Sequence, residues 1–297
     1  MSDEKKPDRI KLGMVGGGRD AFIGGVHRIA SRLDDHYELV AGAFSSTAEK
    51  SSLSALDLGV EKSRAYASFI EMAKIESARD DGIEAVSIVT PNHLHFAAAK
   101  AFLQQGIHVI CDKPLTSSLD DARTLVKIAS KSKALFVLTH NYTGYPMMRQ
   151  ARAMVEKGGA RGMLWSSQVA AGNENALRLR VYGSKDGIEW AQEDPNYLWF
   201  TPLGEPKRLL ICGGSGATDA ANAGTRVPGG HPEGYLEGFA NLYTDAAHAI
   251  IAHRQGGSAL PDSLLPTVYD GLAGVAFVSA VVTSSKEGGV WKSLDLS

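Results

Sequence analysis

Cysteine is scarce: Cys111 and Cys212 are the two in 297 residues. Cys111 falls in an apolar strand-like segment, so no disulfide framework is expected and a reducing, cytoplasmic compartment fits. An excess of charge of one sign is also lacking. Lys and Arg number 31 against 33 Asp and Glu, a net charge of −2. Neither a nucleic-acid partner nor an anionic membrane surface is therefore expected. No Cys/His cluster has metal-ligand spacing, so no metal site is expected. No Gly-x-Ser-x-Gly appears, which leaves a serine hydrolase unsupported. No apolar run reads as long enough to span a bilayer, and residues 1–11 hold no apolar signal segment.

What the chain does have is an ordinary globular composition, 44% hydrophobic and 22% charged, with 32 glycines. Length suggests about two domains. The most informative stretch is 85–115. Residues 85–90 are an apolar, β-branched run closed by Pro91-Asn92. A helical apolar pattern follows from 95 to 105, ended by Gly106, and 108–111 is a second strand run ending in Asp112-Lys113-Pro114. A strand–helix–strand unit of this length implies parallel strands with a right-handed crossover. Both strand ends then lie on one edge, where open α/β sheets bind ligands. Asn92, His93, His95 and Lys113 are thereby candidates to face one crevice.

Residues 10–15 form a first strand followed at once by Gly16-Gly17-Gly18, then Arg19-Asp20-Ala21 and a helix opening at Phe22-Ile23. Glycines in a strand-to-helix turn let backbone N–H groups approach a pyrophosphate. The spacing allows two alignments. Either Ala21 closes Gly16-x-Gly18-x-x-Ala21, or Gly24 is the third glycine after a longer loop. The second strand, 37–44, ends in Ser45-Ser46-Thr47 with Lys50 close behind, where a carboxylate would hold the ribose of NAD. Hydroxyls and a cation favour NADP over NAD. Thr47 also reads as a helix cap. Further strands at 65–66 and 134–138, and helices at 47–58, 69–79 and 119–131, complete a doubly wound α/β pattern.

The character changes near Gly144-Tyr145-Pro146. A helix is expected over 147–157, then short strands at 163–170, 176–181, 187–192 and 197–200 as an antiparallel meander. Leu177, Leu179 and Val181 alternate with Arg178, Arg180 and Tyr182, so one buried and one polar face are expected. Residues 204–233 read as a long loop. Helices are expected at 234–253 and 266–286, the latter apolar enough to be largely buried.

The glycine loop opening a helix that carries His27, TPNHLH at 90–95 and CDKP at 111–114 together resemble the Gfo/Idh/MocA family of oxidoreductases. HNYTGYP at 140–146, NENALRLRVYG at 173–183 and GHPEGYLEGFANLY at 230–243 resemble one subgroup of it. The resemblance implies an N-terminal Rossmann domain, 1–142, and a C-terminal α/β domain with an open, mainly antiparallel sheet, 143–297. It implies NADP or NAD as cofactor and a sugar, polyol or related hydroxyl compound as small-molecule substrate. Lys113 corresponds to the family's catalytic lysine. A cofactor pocket is implied from Gly16, Gly18, Ala21, Phe22, Ile23, Ser45, Ser46, Lys50, Thr90, Pro91, Asn92, His95, Asp112, Lys113 and Asn141. Tyr142 and His231 are the substrate-side candidates, and homo-oligomers through the C-terminal sheet are expected.

The chain departs from the family in two places. Asp112 stands where the motif usually has Glu. After the bridging helix, several tens of residues are missing near 158–159, including a stretch that in relatives carries an Asp-x-x-x-His pair acting on substrate. Residues 163–169 are expected to take over a lost strand, beside 177–181. The shortening also raises an alternative, a cofactor-binding protein with little or no turnover.

Overall fold

The structure is a computed structural model that describes residues 8–19, 21–155, 162–257 and 264–296. It comprises two compact units, one of residues 1–140 with 242–297 and one of residues 141–241.

The first unit begins with β1 (Ile10–Gly16), α1 (Phe22–Leu33), β2 (Tyr37–Ala43), α2 (Ala48–Asp57) and α3 (Phe69–Glu76). It continues with β3 (Ala85–Val89), α4 (His95–Gln104), β4 (His108–Asp112), α5 (Leu119–Ala129) and β5 (Phe136–Thr139). The five strands form one parallel sheet in the order β2-β1-β3-β4-β5. The strand expected at 65–66 shrinks to a single parallel bridge, Gly42 to Ala65, on the outer side of β2. The order is that of a doubly wound nucleotide-binding sheet. Every residue of β3 is buried, which is why its sequence is a continuous apolar run rather than an alternating one. The helices begin where short hydroxyl side chains permit. Thr47, Ser68 and Ser118 accept from the backbone N–H groups of Lys50, Glu71 and Asp121 and cap α2, α3 and α5.

The second unit contains α6 (Pro146–Met154), then β6 (Arg178–Tyr182), β7 (Asp186–Ala191), β8 (Tyr197–Pro202) and β9 (Arg208–Ile211) as an antiparallel sheet in chain order. Next come α7 (Asp219–Asn222) and α8 (Tyr235–Arg254). Its core gathers Tyr145, Met147, Ile188, Trp190 and Leu198. On β6, Leu179 and Val181 are half-buried while Arg178, Arg180 and Tyr182 are exposed, so the two faces differ as expected, but Leu177 precedes the strand and is 39% exposed rather than on the buried face. From Leu242 onward α8 belongs to the first unit, as does α9 (Val268–Lys286).

Several sequence expectations are corrected. Residues 163–169 form no strand and pair with nothing on β6; Trp165 is 80% exposed. Strand propensity needs an edge in register and a face to cover, and the glycines around this segment fix neither. The junction at 158–159 itself lies outside the described residues. Residues 204–233 are not one loop, because β9 and α7 lie within them. Finally, α9 is not largely buried. Val268, Leu272 and Ala276 pack toward α5 and β5, while Phe277, Val278, Val281 and Val282 are exposed. With 19 residues and mean hydropathy 1.4, α9 is also long and apolar enough to cross a membrane by length and composition alone, against the expectation that no apolar run is.

His108 opens β4 with an acid-sensitive contact. Its Nδ1 accepts the N–H of Leu135 at 2.9 Å, which fixes the neutral ring. Burial first, then the charges of His253 and Arg254, push its pKa down to about 4. Its folded pKa thus lies below the unfolded value of about 6.5. Between the two, the unfolded chain binds the extra proton, so stability falls as pH drops from about 6.5 toward 4. The expected loss from this group is about 2 kcal/mol, discounted for partial exposure. The urea midpoint should fall less between neutral pH and about pH 4 in His108→Gln than in the unaltered protein; equal falls would exclude the effect.

Candidate active site

Four loops at the C-terminal ends of β1, β2, β3 and β4 carry the sequence-predicted residues of the first unit. β1 runs into Gly16 and Gly17, with φ of +80° and +70°, values that a side chain would strain. The open alignment of the third glycine is resolved. A Cβ on Gly24 would sit 2.3 Å from Gly17 Cα, so Gly24 supplies the close helix–loop approach. Ala21 is the N-cap of α1 and offers no side-chain acceptor, and the first turn holds no acidic residue. Among the described residues, the first-turn N–H groups, those of Phe22 and Ile23 included, thus have neither a capping side chain nor a first-turn carboxylate at the positive end of a 12-residue helix. A cleft of about 420 Å³ opens there beside Gly18, Arg19, Phe22, Arg28 and Ser54. Arg28 donates to Gly17 O from below. This cradle fits a dinucleotide pyrophosphate. Gly24→Ala should weaken NAD(P)H binding at least about tenfold, because backbone at that distance cannot yield. Fluorescence titration checks this; an unchanged Kd would remove Gly24 from the cradle.

At the end of β2, Ser45 is half-buried while Ser46 and Lys50 are exposed. Thr47 is committed to capping α2. At the end of β3, Pro91, Asn92 and His93 are exposed on a short 3-10 turn. The Thr90 hydroxyl is buried with no hydrogen-bond partner among the described residues, the kind of orphaned group a ligand satisfies. His95, the first residue of α4, is turned inward, and both its ring nitrogens lie against backbone carbonyls.

At the end of β4, Lys113 is exposed while Asp112 beneath it is buried. Thr139 Oγ1 donates to Asp112 Oδ1 at 3.0 Å, and His27 Nε2 lies 3.5 Å from the same oxygen. Burial pushes the Asp112 carboxyl up. The hydrogen bond and charge of the His27 ring, the Thr139 hydroxyl and the Lys113 backbone N–H outweigh it and hold the carboxyl below its ordinary range. Behind His27, Nδ1 is 2.9 Å from Tyr243 Oη and 3.2 Å from Ser87 Oγ. Ser87, Thr139 and Tyr243 are not among the sequence-predicted residues. The one visible signal is a serine within the apolar run of β3.

In the second unit, Asn141 is buried, and its Oδ1 and Nδ2 have no partner among the described residues. The Tyr142 hydroxyl accepts from Asn175 Nδ2 at 2.9 Å. His231 is exposed, its Nδ1 3.1 Å from Pro228 O. Its neighbour Glu233 is buried and accepts the Arg226 N–H on both carboxylate oxygens, at 3.1 and 3.0 Å. Burial pushes the Glu233 carboxyl up, against the opposing pull of those bonds.

Comparison with known proteins agrees with this geometry. The model of an oxidoreductase family with an NAD-binding Rossmann fold matches residues 10–141, and that of the family's C-terminal α/β domain matches residues 150–294. An oxidoreductase of Bacillus subtilis (strain 168), YfiI, is 28% identical over 377 aligned residues, covering 95% of this chain and 96% of its own. That span exceeds the 297 residues here, so the relative carries residues with no counterpart in this chain. The crystal structure of an oxidoreductase from Sinorhizobium meliloti is 51% identical, with a TM-score of 0.92, covering 96% of this chain and 100% of that one. An inositol dehydrogenase homolog from Azotobacter vinelandii, complexed with NADH and myo-inositol, is 30% identical with a TM-score of 0.91, covering 96% and 98%. With both family models matched and these likenesses extending over the whole chain, the protein belongs to the Gfo/Idh/MocA family of NAD(P)-dependent oxidoreductases.

Proposed function

We propose that this chain transfers a hydride between a nicotinamide cofactor and a hydroxyl-bearing carbon of a sugar or polyol, with Lys113 as the acid/base. The observation that carries the reading is the placement of Lys113. It stands exposed at the end of β4, on the sheet edge that also bears the pyrophosphate cradle. The bound nicotinamide supplies the hydride acceptor. In the oxidative direction the carbinol C–H electron pair leaves with the hydrogen, and the hydroxyl proton passes to the Lys113 amine. Thr90 Oγ1, Pro91 and Asn92 line the cofactor wall in this reading, and Asn141, whose amide has no partner among the described residues, is assigned to the cofactor as well. Tyr142 and His231 are the substrate-side residues.

The substrate class rests on similar proteins. Besides the inositol dehydrogenase homolog, the chain resembles over about half of its length a scyllo-inositol 2-dehydrogenase (NADP(+)) of Bacillus subtilis and a UDP-N-acetylglucosamine 3-dehydrogenase of Acidithiobacillus ferrooxidans. NADP is the preferred cofactor in this reading. Ser45, Ser46 and Lys50 offer hydroxyls and a cation where a carboxylate would repel a 2′-phosphate.

The test is to offer the purified protein NAD+ and NADP+ with a panel of inositols, hexoses and their derivatives, and to follow cofactor reduction. Turnover of at least one panel member is expected. Tight cofactor binding with no turnover on any member would favour the non-enzymatic alternative. A lower Kd for NAD+ than for NADP+ would overturn the cofactor preference alone.

A further inference from the structure

One side chain joins the turns that end β3 and β4. His95 is the first residue of α4 and is 1% exposed. Its Nδ1 lies 2.7 Å from Pro114 O, and its Nε2 lies 2.9 Å from Thr90 O. Thr90 leads into Pro91-Asn92, the wall assigned to the cofactor. Pro114 follows Lys113 directly. The ring thus spans from one wall of the proposed site to the residue next to its lysine. Both contacts are to carbonyl oxygens, which only accept, so the ring can serve here only as a donor. With both nitrogens engaged and the ring buried, His95 has nothing left to offer a cofactor.

Lys113 is held from its other side as well. Its backbone N–H donates to the Asp112 carboxylate, which Thr139 and His27 fix in turn. The N–H of Lys113 and the carbonyl of the next residue are therefore both tied to buried side chains, while the Lys113 side chain itself stands exposed. The base of the lysine is fixed and its amine is left to work.

We propose that His95 is a positioning residue: it staples the Lys113–Pro114 turn to the Thr90–Pro91 turn and so sets the distance between the acid/base and the cofactor wall, without touching cofactor. The proposal rests on the assignment of Lys113 above. Misplacing a reacting group by about 1 Å can cost about 10²-fold in rate, so the staple acts on kcat.

His95→Ala and His95→Gln test it in the full chain, since an amide keeps one of the two bonds. The expected order of kcat is unaltered, Gln, Ala, with Ala down tenfold or more. The substrate KM and the NAD(P)H Kd should stay within about threefold, which also shows that the variants fold. Cofactor-free protein carrying ring-¹⁵N histidine should show a hydrogen-bonded ring N–H signal from His95, absent in both variants. The Lys113 amide should exchange at least tenfold faster in His95→Ala. A loss of cofactor affinity parallel to the loss of kcat would make His95 a cofactor ligand and overturn the proposal. So would the lack of any hydrogen-bonded ring N–H signal from His95, or unchanged Lys113 exchange. The ring and exchange readouts need no turnover, so they decide the staple even if the panel finds no substrate.

Discussion

Lys113→Ala should reduce kcat by about 10²–10⁴-fold, the usual contribution of a positioned acid or base, while leaving NAD(P)H affinity within about threefold. The split follows from where the residue stands. Its side chain is exposed, so its removal opens no cavity in the core. Its backbone N–H is held by Asp112, and the carbonyl that follows by His95, so the turn stays in place without the amine. Lys113→Arg sharpens the test. Arginine keeps the positive charge but does not release a proton in a protein, so an acid/base role predicts a loss close to that of Ala. A purely electrostatic role predicts partial retention. A kcat within a few-fold of the unaltered protein in Lys113→Ala would remove the residue from the mechanism. Parallel loss of cofactor affinity would make it a binding group instead.

The sequence showed the Rossmann half more fully than the second unit, for a physical reason. Parallel strands buried on both faces carry their burial in their own composition, as β3 does, and strand ends with glycine, proline or Asp-Lys-Pro locate the ligand edge. The cap of α1 is legible only by what it lacks. Ala21 marks an open helix end once α1 is known to start at Phe22. What adjacency cannot show is a partner distant in the chain. Ser87, Thr139 and Tyr243 reach Asp112 through His27 or directly, from separate elements, and no local pattern announces that. His95 sits beside Asn92 in sequence, and a histidine in a turn reads equally as ligand or staple. The direction of its ring decides, and the ring points at two carbonyls. The failure at 163–169 is the converse case. Met163, Leu164, Trp165 and Val169 have the local composition of a strand, yet all four are exposed and unpaired, because pairing is a property of the neighbour as much as of the segment.

Glu76→Ala should destabilise the first unit by about 3–5 kcal/mol, the usual consequence of removing one partner of a buried ion pair, with Lys113 and the cofactor cradle unaltered. Glu76 is the last residue of α3 and is 1% exposed. Its carboxylate accepts from both Nε and Nη2 of Arg64, from the Tyr66 hydroxyl at 2.7 Å and from the Ile83 N–H at 3.1 Å. Truncation leaves the buried Arg64 guanidinium without its main counter-charge, and strands a hydroxyl and a backbone donor at the entrance to β3. Among the described residues Arg64 keeps Asp81, through its backbone carbonyl at 3.4 Å and a carboxylate half in solvent at 3.7 Å, too weak a partner to compensate. The double variant Arg64→Met/Glu76→Leu separates the causes. If the loss comes from the orphaned charge, the double variant should be more stable than Glu76→Ala, because apolar groups of similar volume demand no partner. If it comes from the lost ties to Tyr66 and Ile83, the two should be equally unstable. Urea midpoints of the three proteins at neutral pH decide, and a Glu76→Ala midpoint equal to that of the unaltered chain would show that the network contributes nothing to stability.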